Sequence, residues 1–354
     1  MTFKQHLALK FLALLCAITS AGVAFAQLLP QTELKVVGGR STRTSFQEVE
    51  KPFWIKSLPE RSEGRVTATI KGYDELGLKG PELLKLMRQG IIEFGIVPLA
   101  YLASESPLSE ALDIAGLVPD SATARQVVQS MTAVVAQSMS TQQQIKVLGV
   151  TPYGPQVLFC QTPIGTLSDL KGKVVRTISR TQAELIEALG AKSVAMSFSE
   201  VLGAFKKKTI NCAVGGAHSG FEAQWYLAAT HLYALPLGWN YEVHAVNQKV
   251  WDQLSAPVQS FLLSNIEMLL QNLWTYAEQQ YAQALACNAG ARHCTQSARG
   301  QMVVVQPSVS DLAALRRVAI QSGLDRWGSR CAGQCVTDFN NTAGKVLRTV
   351  VKQP

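Results

Sequence analysis

Asp169-Leu170-Lys171-Gly172-Lys173-Val174-Val175-Arg176-Thr177 is a turn feeding a short apolar strand that ends on an arginine. A helix-forming run over 181–189 follows, then Gly190-Ala191 and a second short strand at 193–196. Ser197-Phe198-Ser199-Glu200 sets a serine three residues ahead of a glutamate, the spacing of a capping box, so a helix starts there and continues to Lys208. Residues 211–214 form a third strand, closed by a Gly215-Gly216 turn. Strand, helix, strand, helix, strand at this spacing predicts a right-handed parallel α/β unit. Ligands of such sheets sit outside the carboxyl ends of the strands, where Arg176 and the glycine turn fall.

Outward from that stretch the alternation continues. Residues 33–37 read as a strand ending at Gly38-Gly39, and a helix runs over about 44–58. A glycine turn before a helix N-terminus offers backbone donors to an anion, with Arg40, Thr44 and Ser45 placed to join; the alternative is a plain strand-to-helix turn. Strands follow at 65–70 and 91–97, separated by a Gly-rich loop over 72–80 and a helix opened by Pro81. Pro98-Leu99-Ala100-Tyr101 then leads into a loop that sets Tyr101 at a sheet edge, either lining a pocket or filling core. A helix over 121–144 and strands at 146–151 and 156–160 carry the chain into the opening stretch. Beyond it come a helix-like run through Trp225, a strand at 241–247 and one long helix over 255–287, at ~1.5 Å per residue some ~45 Å. A strand at 302–305, a helix capped by Ser308 with Asp311, and a helix after Cys335 finish the chain. The fold class is α/β with two lobes, a central cleft, crossover strands and a helix spanning both. Residues 27–152 with about 241–280 form lobe 1, and 153–240 with about 281–354 form lobe 2.

Lys4 and Lys10, the apolar run 11–18 and Ala24-Phe25-Ala26 read as an export signal over 1–26. Its removal takes two lysines and no acid, so the formal charge falls from +8 to +6. The positive charges are scattered apart from Lys206-Lys207-Lys208 at a helix end, which argues against nucleic acid. Six cysteines remain, an even number in an exported chain, and six allow fifteen pairings. The reading is Cys160 with Cys212, Cys287 with Cys294, and Cys331 with Cys335. Zinc is the rival, without the spacing that supports it. Nucleophile-elbow, zincin, phosphate-loop and dinucleotide motifs are missing, so no catalysis and no cofactor are expected.

Asp169-Leu-Lys-Gly-Lys-Val-Val-Arg, Ala188-Leu-Gly-Ala191 and Met196-Ser-Phe-Ser-Glu-Val201 together resemble the signature of the dicarboxylate-type solute-binding proteins of tripartite ATP-independent periplasmic (TRAP) transporters. The resemblance implies a periplasmic monomer that captures an organic acid and delivers it to the small and large membrane subunits of the transporter. It implies that Arg176 holds the ligand carboxylate, that Phe198 faces the ligand, and that the long helix lies across both lobes. A ligand-presenting sensor is the alternative role. Two departures stand out: Gln156 replaces the second arginine of some members, and Val214-Gly215 replaces a Glu-Asn pair. One fixed cation is therefore expected. The downstream cluster of His218, Trp225, Tyr233, Trp239, Tyr241 and His244, with His218 and Trp239 at the site, suggests an aromatic 2-oxo or 2-hydroxy monocarboxylate.

Overall fold

The structure, a computed structural model, describes residues 29–102 and 106–352; the export signal read over 1–26 lies outside them. Its strands in chain order are β1 (Thr32–Gly38), β2 (Val66–Gly72), β3 (Phe94–Pro98), β4 (Ile145–Pro152), β5 (Gln156–Cys160), β6 (Val174–Thr177), β7 (Lys192–Ala195), β8 (Cys212–Gly216), β9 (His231–Tyr233), β10 (Tyr241–Asn247) and β11 (Val303–Val305). One sheet runs β2-β1-β3-β10-β4 and the other β11-β9-β5-β8-β6-β7. Each is the centre of one lobe.

The unit opened at Asp169 forms as its spacing dictates. β6 lies between β7 and β8 and is parallel to both. The helices Arg180–Ala188 and Val201–Lys206 make the crossovers. Glu200 accepts the Ser197 backbone N–H at 3.0 Å, as a capping glutamate does. The turn expected at Gly215-Gly216 is instead the end of β8, because antiparallel β5 carries the ladder through Val157–Gly215 and Gln156–Gly216. Gly215 is required for another reason: a Cβ there would stand 2.5 Å from the Trp225 ring. Two expected loops also hold short helices, Tyr73–Leu76 and Leu99–Leu102.

The chain changes sheets after β4 and again before β10, and the two crossing segments are joined. Tyr153 N–H donates to the Asn240 carbonyl at 2.9 Å and Gln156 N–H to that of Gly238 at 2.8 Å. Asp113 pins this pair by accepting the backbone N–H groups of Trp239 and Asn240, each at 2.8 Å. A third connection is the helix Ala256–Ala289, which at ~1.5 Å per residue is ~50 Å long. Leu262, Ile266 and Leu269 on it pack into the first lobe's core, and Ala284 into the second's. Its Trp274 indole donates to the Val150 carbonyl at 3.0 Å and its Asn288 amide to that of Ala217 at 3.2 Å. The last helices touch both halves: Trp327 Nε1 donates to the Pro107 carbonyl at 2.7 Å, while Arg330 pairs with Glu110 at 2.9 Å and also with Glu184. No described helix is long and apolar enough to cross a membrane.

Past β1, the Gly39 N–H donates to both carboxylate oxygens of buried Glu50, at 3.1 and 3.3 Å. The anion anticipated at this turn is thus one of the protein's own side chains. Gly39 is wedged between two acids, since a Cβ would lie 3.2 Å from Glu50 and 3.5 Å from Glu242. Burial, and then Glu242, push Glu50 up to about 8 against the opposing pull of the Gly39 hydrogen bond and Arg43.

The structure joins Cys160 to Cys212, Cys287 to Cys294 and Cys331 to Cys335. The first pair sits directly opposite on β5 and β8 and spans 52 residues. Replacing both cysteines by alanine is expected to lower the unfolding free energy by about 2–4 kcal/mol in urea melts, and an unchanged midpoint would refute this. A second expectation concerns pH. Native Glu50 keeps a proton that the unfolded chain loses, so stability falls as pH rises from 4.5 through about 8. Glu50→Gln removes that loss, and its advantage over wild type should grow by roughly 2–4 kcal/mol between pH 5 and pH 9; a difference independent of pH sinks the assignment.

Candidate functional site

The carboxyl ends of strands from both sheets converge on one cavity of about 370 Å³, a size within the ~300–1,000 Å³ common for small-molecule sites. Arg40 follows β1, Tyr73 follows β2, and Pro98 and Tyr101 come from the end of β3 and the helix after it. From the other lobe come Gln156, Arg176, Phe198 and the Gly215-Gly216 end of β8.

Arg176 is 1% exposed. Because β6 is a middle strand, the side chain reaches the ends of both neighbours. Nε donates to the Met196 carbonyl at 3.0 Å and Nη1 to that of Val214 at 2.8 Å. Nη2 is buried and has no partner among the described residues. Burial pulls its pKa down to about 10, with Tyr101 opposing and Arg40 adding to the shift, so it remains a cation at neutral pH. Beside it, the Phe198 ring lies 4.9 Å from that of fully buried Trp225, tilted by 34°. Tyr73, Tyr101 and Tyr153 complete an aromatic lining.

Of the residues singled out from sequence, Arg176, Phe198, Gln156, Arg40 and Tyr101 meet at the cavity, whereas Thr44, Ser45, His218 and Trp239 do not line it. The Gln156 amide is turned back to the Gly154 carbonyl at 2.9 Å. Thr44 and His218 instead join the lobes, with Thr44 Oγ1 2.8 Å from His218 Nε2 and Thr44 N–H donating to Glu222 at 2.8 Å. Tyr276 of the long helix donates to Thr44 Oγ1 at 2.7 Å, and Ser45 lies beside this group. Trp239 is core, its indole donating to the Val118 carbonyl at 3.3 Å. Tyr233, Tyr241 and His244 are buried as well. His244 is held 2.8 Å from Thr151 and pushed down to about 3 by burial. Within the downstream cluster, only Trp225 reaches the cavity wall.

The expectation of a single cation is corrected, because Arg40 and Arg43 also line the cavity. Arg43 Nη1 pairs with Glu242 at 3.3 Å, and its guanidinium lies 3.9 Å from the centre of the Tyr153 ring. The sequence signal was the pair of arginines directly after the Gly38-Gly39 turn. No cluster of His, Cys, Asp or Glu among the described residues suits a metal ion.

Residues 39–321 match the family model of the bacterial extracellular solute-binding proteins, family 7. A solute-binding protein of Sulfitobacter sp. (strain NAS-14.1) is 25% identical over 209 residues, which span 58% of this chain and 63% of that protein, less than two thirds of its length. Solved structures share the fold. A TRAP periplasmic solute-binding protein from Desulfovibrio salexigens with bound orotic acid has a TM-score of 0.78 at 20% identity, covering 89% of this chain and 99% of that one. An extracytoplasmic solute receptor of Bordetella pertussis binding pyroglutamic acid has a TM-score of 0.76 at 19% identity, covering 90% and 99%. One from Sulfitobacter sp. NAS-14.1 with bound β-D-galacturonate has a TM-score of 0.76 at 15% identity, covering 88% and 99%. With the family match running through both sheets and the cavity between them, the chain belongs to the bacterial extracellular solute-binding proteins of family 7.

Proposed function

We propose that this protein is a periplasmic receptor that captures a small organic acid on Arg176 and presents it to the small and large membrane subunits of a TRAP transporter. The observation that carries the reading is a buried guanidinium, lining an interlobe cavity, whose Nη2 has no partner among the described residues. A carboxylate is the group that fits a planar fork of donors. The acids named for similar structures, orotic acid, pyroglutamic acid and galacturonate, support the same chemistry. The aromatic wall suits a ligand with a flat or apolar body. Capture works by hinge closure: the ligand bridges residues from both lobes and so favours the state in which they meet. No bond of the ligand is made or broken.

The test is a calorimetric and thermal-shift screen of the purified protein against aliphatic and aromatic acids, with Arg176→Met in parallel. The substitution should weaken the bound acid by ~2–5 kcal/mol, about thirty- to several-thousand-fold. Without ligand, the variant should be at least as stable as wild type, because an uncompensated buried charge is gone. An acid that shifts the melting of both proteins equally would overturn the role of Arg176.

A further inference from the structure

Behind the cavity wall stand two enclosed acids and one cation. Glu50 and Glu242 are 3% and 6% exposed and flank Gly39, where a Cβ would lie 3.2 Å from Glu50 Oε2 and 3.5 Å from Glu242 Oε1. Glu50 accepts the Gly39 N–H at 3.1 and 3.3 Å, and among the described residues it forms no ion pair. Glu242 Oε2 pairs with Arg43 at 3.3 Å, while its Oε1 is buried without a hydrogen-bond partner among the described residues. The other elements packed against Glu50 bring no compensating charge. β10 adds His244, kept neutral by burial, which lines a small void together with Glu50. β3, β4 and the long helix line the same void with apolar Ile96, Leu148 and Ile266. Tyr153, whose ring covers Arg43, is likewise held neutral by burial.

Two carboxylates and one guanidinium leave this cluster one negative charge in excess, a costly state out of water that a proton removes. Burial and Glu242 push Glu50 up to about 8, in line with that count. Arg43 is the member of the cluster that also lines the ligand cavity. An anion arriving there lies beside the guanidinium that offsets these acids and adds its own negative charge to theirs, so Glu50 becomes harder to ionise. We propose that Glu50 is a proton site coupled to the cavity, so that the organic acid anion is captured together with a proton on the Glu50 carboxyl. The proposal rests on the acid-binding reading above and adds a regulation to it. Below neutral pH, Glu50 is protonated with or without ligand and leaves affinity unchanged. As pH rises through about 8, the free protein gives up the proton before the complex does, so affinity falls.

Calorimetric titrations of the full protein at pH 8 with pyroglutamate, galacturonate and benzoate, run in HEPES and in Tris, read the protons taken up per anion bound. None of these acids has a group of its own titrating nearby. Wild type should take up about 0.2–0.4 proton, and its affinity should fall about two- to threefold from pH 6.5 to pH 8.5. Glu50→Gln mimics the protonated side chain. It should bind within about twofold of wild type at pH 6.5, keep that affinity at pH 8.5 and take up less than about 0.1 proton. In wild type itself, the carboxyl carbon-13 signal of Glu50 should titrate at higher pH with the acid bound than without it. Equal midpoints, or no proton uptake by wild type, would overturn the coupling and leave acid capture standing. Uptake that survives in Glu50→Gln puts the proton elsewhere, on the His218–Glu222 pair, and overturns it too. If none of the acids binds wild type, the acid-binding reading falls and this proposal with it.

Discussion

A guanidinium enclosed where three strands meet, with no anion of the protein's own, is the constraint around which the second lobe is built. Two carbonyls satisfy part of the Arg176 donor set and supply no negative charge. Holding an ion this way costs stability, and the surroundings must be stiff enough to prevent it from escaping to water. The stiffness is visible. β6 is paired on both edges, Cys160–Cys212 ties β5 to β8, and the missing side chain at Gly215 lets Trp225 close against β8. A fixed cation at the mouth of a parallel sheet follows from this order of strands rather than from any loop.

The other constraint is how the two lobes are held to each other. The crossing segments are hydrogen-bonded to each other and pinned by Asp113. Burial pushes the Asp113 carboxyl up to about 6 despite the two backbone donors it accepts, so this pin too is held at some cost. The long helix is anchored in both cores. Thr44, His218, Glu222 and Tyr276 then bind first lobe, second lobe and helix in a single polar knot. The cavity and the knot lie on the same elements, so a ligand that brings the lobes together acts where they already touch.

The backbone was legible because apolar period and glycine punctuation are local signals. β5 and β10 fall on the stretches read as strands, and the βαβαβ unit has the predicted connections. The side-chain environment was less so. Gly215-Gly216 reads as a turn unless the antiparallel partner β5 is known, and that pairing depends on a strand more than fifty residues earlier. Likewise the downstream rings share a neighbourhood in sequence but point into three places: Trp225 to the cavity, Trp239 and Tyr241 to core, His218 to the lobe contact. The sequence shows that Thr44 and Arg40 follow a glycine turn; it does not show that Glu50 already fills the anion place there, or that Arg40 lines the cavity while Thr44 does not.

Three arginines near one cavity therefore differ by partner and not by type. The Arg43 side chain is only 12% exposed, nearly as enclosed as Arg176, yet Glu242 neutralises it and Tyr153 covers its face. Such a group is a strut: its charge is spoken for in every state that keeps Glu242 in place. Arg40 and Arg176 meet rings, carbonyls and a phenol, which orient a guanidinium without supplying the opposite charge. Burial alone does not separate a binding arginine from a structural one. What separates them is whether the fold provides the anion: Glu242 does so for Arg43, whereas Arg176 meets backbone carbonyls.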